Sequence, residues 1–438
     1  MSRSKFLIAL TLIALLLTGC STARPRPGLG ETPSPTSTPT PSTPVSSPPA
    51  ADATPPRPLA LVNATLIDGT GSRPLGDGVL VIQDGRIAAL GPGDQVAIPP
   101  NAQVIDVAGR SVLPGFINAH VHRAFEAENL AAWARAGVTT VRDVGAGPGS
   151  PRTWDEWMAI SSEAEEPQRP QIFDERDRRL NRPEYARIVA AGPILTVPGG
   201  YPIRSWGEEP ALTVTSAQDA HERTARLLEA GADLVKISLE RGPRLTKEEV
   251  AAIVRAAHER DTLVTAHVSA ARHLALGVEA GIDEAAHMVT GRLPDKLIAQ
   301  MVAQDVYLVP TLAVLEAYDS MGDSLENLER FVAAGGKVAL GDDYGNPGIE
   351  LGMPLRDMEL MQEAGMTPTQ IIVAATQHGA RACNLEAELG TLEVGKIADV
   401  LVVEGDPLQD IHALADAWLV IKDGVVIRSP PSVSATSP

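Results

Sequence analysis

Short runs of apolar residues alternate with amphipathic segments along most of the chain. The apolar runs have the length of strands, and the segments between them repeat apolar residues at helical spacing. This alternation is typical of βα units and predicts a parallel sheet with helices packed on it. Eight strands are predicted, near 115–122, 138–144, 187–196, 233–239, 262–268, 284–290, 306–312 and 337–343.

Helix starts support this alternation. Ser216 with Asp219 and Thr246 with Glu249 have the spacing of capping boxes. Thr367 precedes Pro368, which places a proline at the first position of a helix.

The two ends of the folded part resemble each other. Residues 79–90 and residues 418–427 each contain two β-branched runs joined by Asp-Gly. Asp-Gly favours the positive φ angles of a type I′ turn, so both stretches predict hairpins. They would either pair within one composite β domain or form two unrelated surface hairpins.

The N-terminus has the pattern of a targeting segment. Arg3 and Lys5 precede an apolar run over 6–17 that suits the core of a signal peptide. The following Leu-Thr-Gly-Cys at 17–20 resembles a bacterial lipobox, which predicts cleavage of 1–19 and lipidation of Cys20. The alternative is a plain signal peptide in which Cys20 is incidental.

Residues 20–58 are dominated by serine, threonine, proline, alanine and glycine. Such a stretch cannot bury enough apolar surface to order itself, so we expect a disordered tether there and a disordered tail over 430–438. Cys383 lies on an expected buried helix face. With Cys20 lipidated, no disulfide within the chain is expected.

The charge balance narrows the class of partner. The chain has 37 Lys and Arg against 55 Asp and Glu, a net charge of −18, and no basic cluster stands out. This argues against nucleic acid as a partner and indicates a solvated acidic surface.

Candidate metal ligands stand at the ends of the apolar runs. His120 and His122 are two residues apart on a predicted strand, so their side chains share one face. Four more candidates follow other runs: Lys236, His267, His287 and Asp343. This mixture suits zinc or a similar divalent ion, and a coordination position left for water would make the site catalytic. Singly, each could be an ordinary strand-end residue. The remaining histidines are expected to be structural or solvent-facing: His221, His258, His273, His378 and His412.

At this point the chain resembles the amidohydrolase superfamily of metal-dependent hydrolases. Three stretches carry the resemblance: Leu-Pro-Gly-Phe-Ile-Asn-Ala-His-Val-His (113–122), Gly-Val-Thr-Thr-Val-Arg-Asp (137–143) and Gly-Thr-Leu-Glu-Val-Gly-Lys-Ile-Ala-Asp-Val-Leu-Val-Val (390–403). The chain is similar to the branch of imidazolonepropionase-like and Xaa-Pro dipeptidase (prolidase)-like proteins. The resemblance implies an α/β fold, a (β/α)8 TIM barrel over 111–388, with a composite β-sandwich built from 59–110 and 389–429.

The resemblance also implies roles for the candidate ligands. Lys236 would be carboxylated and bridge two ions, with His267 and His287 holding the second ion. The alternative is an unmodified lysine bound to a carboxylate beside a single ion. Asp343 would be both a ligand and the proton acceptor. Asp342, expected to face solvent, is its competitor because two adjacent carboxylates leave the register open.

Substrate residues are less defined. The loop at 199–201 reads Gly-Gly-Tyr where the resembling branch often has Gly-Gly-His. Tyr201 and Arg204 could face a substrate carbonyl or carboxylate, or Tyr201 could simply pack. The charged connection 148–184, with Trp154 and Trp157, could be a lid over the site or an exposed helical excursion.

The sequence therefore predicts a membrane-anchored metal-dependent amidohydrolase. It would cleave an amide or other C–N bond of a small molecule or dipeptide, and lipid on Cys20 would attach it to the membrane outside the cytoplasm. The alternatives are an Xaa-Pro-type dipeptidase and a catalytically silent surface-binding lipoprotein.

Overall fold

The structure is a computed structural model that describes residues 57–145, 171–180, 182–206 and 211–429. The expected signal peptide, Cys20, nearly all of the tether, the 430–438 tail and the tryptophans Trp154 and Trp157 lie outside the described residues.

Strands and helices alternate through the middle of the chain. The strands are β1 (Leu59–Leu66), β2 (Leu75–Gln83), β3 (Arg86–Pro92), β4 (Gln103–Asp106), β5 (Ser111–Pro114), β6 (Phe116–Val121), β7 (Val138–Asp143), β8 (Arg187–Ala190), β9 (Ile194–Thr196), β10 (Ala211–Thr213), β11 (Val235–Ser238), β12 (Val264–His267), β13 (Glu284–Ala286), β14 (Tyr307–Val309), β15 (Val400–Val403), β16 (Ala417–Lys422) and β17 (Val425–Arg428).

Most described helices lie between residues 127 and 382. They span Ala127–Ala136, Gln171–Leu180, Ile203–Trp206, Ala217–Glu229, Lys247–His258, Ala271–Ala280, Asp295–Ala303, Leu312–Ala317, Ser324–Ala333, Leu355–Glu363, Pro368–Ala375 and Gln377–Ala382, with a 3-10 helix at Ile411–Ala415. Ser216, Thr246 and Thr367 each accept a hydrogen bond from the backbone N–H three residues on. The predicted capping box is complete at Thr246, whereas the Asp219 carboxylate accepts from Thr215 N instead of Ser216 N. None of these helices is both long and apolar enough to cross a membrane.

Both ends of the described chain contribute to one mixed sheet. Its strand order is β17-β16-β15-β5-β1-β2-β3, with β4 pairing to β1. The two predicted hairpins are confirmed, because Asp84-Gly85 and Asp423-Gly424 adopt positive φ angles between antiparallel strands. Strand β5, which lies at the start of the range expected for the barrel, pairs with β1 and β15 in this sheet.

Two parallel sheets fill the middle of the chain, which makes the fold α/β. One has the order β6-β7-β8 and the other β10-β9-β11-β12-β13-β14. The strand expected over 187–196 is divided into β8 and β9, because Gly192 adopts φ 73° and Pro193 has no N–H to donate.

Backbone hydrogen bonds connect the two parallel sheets on both sides. On one side, Asp233 N donates to Ala190 O at 2.9 Å. On the other side, residues 337–344 form the connection in place of the predicted eighth strand, in isolated bridges rather than a continuous ladder. Leu308 N donates to Lys337 O at 3.0 Å, and Ala119 N donates to Leu340 O at 2.8 Å. The segment that ends in Asp343 is therefore bonded to both sheets.

Candidate metal centre

Strand β6 positions the first two histidines. All six of its residues, including His120, are buried, and His122 directly follows its last residue, so the alternation of side chains places His120 and His122 on one face. His120 is fully buried and His122 is 5% exposed. His122 Nδ1 lies 2.6 Å from Gly145 O, which leaves Nε2 facing the interior.

Asp343 completes a cluster with these histidines. Its Oδ1 lies 3.0 Å from His122 Nε2 and 3.4 Å from His120 Nε2. One possible ligand atom from each of the three residues lies within 4.8 Å of the others. Two imidazoles and one carboxylate form a set of ligands that binds zinc and similar ions.

Two further histidines stand beside this cluster. His267 Nδ1 and His287 Nε2 face each other at 2.8 Å. The His287 ring centroid is 4.8 Å from that of His120, and His287 Nδ1 is 3.8 Å from Asp343 Oδ2. The four predicted histidines and Asp343 therefore meet in one place.

Lys236 lies in the middle of β11 and is only 1% exposed. Its Nζ has no hydrogen-bond partner among the described residues. Burial lowers the pKa of Lys236 to about 7, with Glu284 and Asp343 opposing that shift. A substantial fraction of the amine is therefore neutral at neutral pH.

All six predicted ligands line one cavity of about 260 Å³. Other described residues around it include Tyr201, Ser269, Met288, Leu315, Tyr318 and Asn346. The cavity is small, so a compact substrate group fits it better than an extended chain.

Two polar atoms at this site, Nδ1 of His120 and Nζ of Lys236, have no hydrogen bond among the described residues. Buried polar atoms are nearly always satisfied, so this arrangement fits a bound cation better than a site that works without one. The donor set and its orphaned atoms therefore fit the divalent ion that the sequence predicts.

The charge state of the cluster suits the same ligand. Burial holds the pKa of His120 and His287 well below their usual range, so both rings are neutral. Burial also lowers the pKa of His122, but the contact with Asp343 outweighs it and raises that pKa. Burial opposes ionisation of Asp343, but His120 and His122 outweigh it and hold its pKa well below the usual range. Neutral imidazoles and an ionised carboxylate are the forms that bind metal ions.

Three residues of the site adopt left-handed backbone conformations. Asp343 has φ 62°, His287 has φ 72° and Thr311 has φ 45°. Such φ angles are uncommon outside glycine and cost free energy, which the surrounding structure must supply. His287 and Asp343 line the cavity, and Thr311 contacts His287 from outside it.

Asp342 is not solvent-facing, contrary to the sequence expectation. It is 2% exposed, and its Oδ1 accepts a hydrogen bond from Tyr344 N at 2.9 Å. Burial raises the pKa of Asp342 to about 7. The carboxylate that meets His120 and His122 is that of Asp343.

The two predicted substrate residues differ in position. Tyr201 lines the cavity and stacks on His267, with ring centroids 4.3 Å apart and planes 22° from parallel. Arg204 is exposed on the short helix that follows and is not among the described residues that line the cavity.

The structure adds residues that sequence reasoning missed. Glu240 follows β11, and its Oε2 lies 3.5 Å from His267 Nε2. Burial would raise the pKa of Glu240, but His267 and other partners lower it to about 2. Thr311 Oγ1 lies 2.8 Å from His287 Nδ1. Glu240 could have been found as the first acidic residue after the Lys236 strand.

Beneath the cavity, Arg142 forms a buried pair with Glu284, 2.5 Å from Nη2 to Oε1. Arg142 also donates to Ala119 O at 2.6 Å. Through these contacts Arg142, on β7, connects β13 with β6 next to His120.

The other histidines do not line the cavity. His221 faces Glu259, His258 faces Asp283 and His412 faces Asp410. His378 Nδ1 faces Val338 O, and His273 is buried beside Arg272.

The chain belongs to the amidohydrolase family, whose model matches residues 111–427. An imidazolonepropionase of Symbiobacterium thermophilum is 28% identical over 371 residues, covering 74% of this chain and 83% of the relative. A protein assigned as a prolidase from Bifidobacterium longum shares its fold, with a TM-score of 0.71, 26% identity and 86% and 96% coverage. An Xaa-Pro dipeptidase with methionine bound in its active site has a TM-score of 0.70 and 24% identity, with coverage of 84% and 99%.

The protein is therefore an amidohydrolase-type enzyme, a hydrolase acting on carbon–nitrogen bonds. Its family is metal-dependent, and the cluster of His120, His122 and Asp343 is present at the expected place.

Proposed function

We propose that the protein hydrolyses an amide or other C–N bond of a small molecule or dipeptide with the help of one or two divalent ions, zinc or a similar metal. The observation that carries this proposal is the convergence of four histidines, Asp343 and Lys236 in one buried cavity. A binding protein without activity has no need of an ionised carboxylate held among neutral imidazoles.

The proposed scaffold is a (β/α)8 barrel flanked by a β-sandwich. The hydrogen bonds on both sides of the parallel sheets support closure of β6, β7, β8, β11, β12, β13, β14 and the 337–344 segment into one ring. In such barrels the site lies at the carboxyl ends of the strands. The proposed domains are 59–110 with 389–429 for the sandwich and 111–388 for the barrel, with β5 at the boundary pairing into the sandwich sheet.

The residues divide the proposed work as follows. His120, His122 and Asp343 would hold one ion, and Lys236, His267 and His287 would hold a second. When bound, such an ion polarises the scissile carbonyl and lowers the pKa of the attacking water. Asp343 would accept the proton of that water and return it to the leaving nitrogen. Its low pKa keeps it ready as an acceptor at neutral pH.

We also propose that Lys236 is carboxylated. A neutral amine attacks carbon dioxide, forms an N–C bond and releases one proton, which leaves an anionic carbamate. The lowered pKa of Lys236 and its unpartnered Nζ support this modification. The carbamate would place an anion where the histidines alone supply none. An unmodified lysine beside a single ion is the alternative.

The substrate proposal rests on the cavity and on the relatives. Tyr201, stacked on His267, would contact the substrate beside the scissile bond. Similarity to the protein assigned as a prolidase favours an Xaa-Pro-type dipeptide as a second candidate substrate. Similarity to imidazolonepropionase favours a small cyclic C–N bond. A catalytically silent surface lipoprotein is the remaining alternative.

The location of the enzyme is a proposal from the sequence alone. Residues 17–20 and the 20–58 tether support attachment of the mature chain to a membrane outside the cytoplasm through lipid on Cys20.

The full chain, purified in detergent, tests the central proposal. We expect between one and two equivalents of a divalent ion by elemental analysis and turnover of at least one member of a panel of amides, lactams, imidazolones, Xaa-Pro dipeptides and esters. Chelation should abolish turnover, and added metal should restore it. Absence of bound metal, with no turnover after metal is added, would contradict the enzymatic proposal.

A further inference from the structure

Glu240 and Thr311 contact the outer nitrogens of the two histidines whose inner nitrogens face each other. His267 Nε2 faces Glu240 Oε2 at 3.5 Å, and His287 Nδ1 faces Thr311 Oγ1 at 2.8 Å. Between the rings, His267 Nδ1 and His287 Nε2 are 2.8 Å apart. Four groups therefore form one chain from carboxylate to hydroxyl.

The carboxylate end of this chain decides the proton position on His267. A carboxylate can only accept a hydrogen bond, and a neutral imidazole carries one N–H. The proton of His267 therefore belongs on Nε2, toward Glu240, and Nδ1 presents a lone pair to His287. The orientation of Glu240 is fixed as well, because its Oε1 accepts a hydrogen bond from Arg241 N at 2.7 Å.

The hydroxyl end permits two states, because a threonine hydroxyl can donate or accept. When Thr311 donates to Nδ1 of His287, the ring proton is on Nε2 and bonds to His267. When Thr311 accepts, the ring proton is on Nδ1, and both inner nitrogens present lone pairs to a cation. The number of protons on the rings is the same in both states.

The backbone holds Thr311 in place for this role. Thr311 is fully buried and left-handed, an uncommon conformation for a β-branched residue. The next two residues are fixed by Asp357, whose Oδ1 accepts hydrogen bonds from Leu312 N at 2.6 Å and Ala313 N at 3.3 Å.

We infer that Glu240 and Thr311 are positioning residues: Glu240 fixes the tautomer of His267, and Thr311 orients the His287 ring and accepts the proton of the tautomer in which both rings can bind a second divalent ion. This inference rests on the proposed function and goes beyond it, because it assigns two residues outside the predicted ligand set. Neither residue would touch the ion itself.

The substitution Glu240→Gln tests the carboxylate end with little change of shape. If the new amide oxygen keeps the hydrogen bond to Arg241 N, the amide NH2 group faces the N–H of His267 Nε2. Two hydrogen-bond donors then oppose each other. The proton of His267 then moves to Nδ1, where it blocks the ion. Loss of such partners commonly weakens metal binding by about ten- to a hundredfold.

The experiment titrates the metal-free full chain with Zn²⁺ or Co²⁺ against a chelator and records the cobalt absorption spectrum. For wild type we expect two equivalents. For Glu240→Gln we expect the second equivalent to weaken by about ten- to a hundredfold, with the first unchanged and the second cobalt spectrum altered. Thr311→Val should have the same effect, and Thr311→Ser should bind like wild type because it keeps the hydroxyl.

Glu259→Gln is the matched control. Glu259 is an exposed carboxylate outside the cavity, and its Oε2 lies 3.2 Å from His221 Nε2. Its replacement should leave the binding of both metal equivalents unchanged. If Glu240 had a purely structural role, Glu240→Gln would lower the unfolding temperature without specifically weakening the binding of the second ion. If Glu240→Gln does not fold, the comparison of Thr311→Val with Thr311→Ser tests the inference instead.

Two results would overturn the inference. The first is wild-type binding of the second ion in both Glu240→Gln and Thr311→Val. The second is a wild-type protein that hydrolyses substrate with only one equivalent of bound divalent ion. That result would not contradict the proposed function. A wild type that binds no ion and has no activity would instead contradict the proposed function.

Discussion

At the scale of single residues, Asp343 is the group on which the proposed chemistry depends most. We expect Asp343→Asn to lose about 10² or more in rate, because an amide cannot accept the proton. Asparagine tolerates the left-handed backbone, so the fold should survive. Asp342→Asn should keep substantial activity, since its amide oxygen can still accept from Tyr344 N. Turnover and metal content of both variants check this; the opposite ranking would identify Asp342 as the proton acceptor.

Lys236 permits a second test at this scale. We expect Lys236→Ala to lose most of its activity and to regain part of it when a short carboxylic acid, or bicarbonate, is added with metal. The added anion would occupy the place of the carbamate. A simple lysine ion pair predicts no such rescue.

The matched control is Lys422→Ala. Lys422 is also fully buried, but it pairs with Asp423 outside the cavity. Its loss should affect stability without any rescue by carboxylic acids. Equal responses of the two variants would contradict the carbamate.

At the scale of elements, the close approach of the 337–344 segment to β6 aligns Asp343 with His120. A Cβ on Gly341 would lie 2.6 Å from Val309 Cγ1 and 2.7 Å from His120 Cβ. We expect Gly341→Ala to destabilise the fold by about 1–3 kcal/mol, the usual cost of overpacking, and to weaken metal binding. Thermal unfolding and metal titration measure both effects.

Gly76→Ala is the control for that change. A Cβ there would meet nothing within 4 Å, so its unfolding temperature should stay close to that of wild type. If Gly341→Ala were equally silent, the contact between these two segments would not matter for the site.

Local sequence patterns predicted the elements whose causes are local. The Asp-Gly turns and the caps at Thr246 and Thr367 depend on a few neighbouring residues, and each is confirmed. The division of the 187–196 strand was missed because Gly192 and Pro193 lie inside a continuous apolar run. The apolar character of a run predicts burial but not an unbroken ladder.

The site shows the same limit. The position of the six candidate ligands at the ends of apolar runs correctly predicted that they line one cavity. It could not find Thr311, whose contact with His287 depends on a left-handed turn that no local residue type announces. It also placed Asp342 in solvent, because adjacent carboxylates look alike until the backbone conformation is known.

At the scale of the whole molecule, the proposed anchor and the enzyme are separable. We expect Cys20→Ala to move the protein from the membrane fraction to the soluble fraction while turnover stays unchanged, because the proline-rich tether separates them. Cell fractionation with activity measurements checks this.

Cys383→Ala is the companion variant. Cys383 is buried in the folded part, so its replacement should leave membrane attachment intact. A wild-type protein found in the soluble fraction would contradict lipidation of Cys20.

The sheet built from both ends of the chain also sets an order on biosynthesis. Strand β5 lies between β1 and β15, so one edge of the N-terminal strands stays open until the last segment of the chain has been made. Until then the nascent protein exposes apolar strands such as β1 and β5. The N-terminal strands therefore cannot complete this sheet early, which is compatible with the proposed export of the chain before it folds.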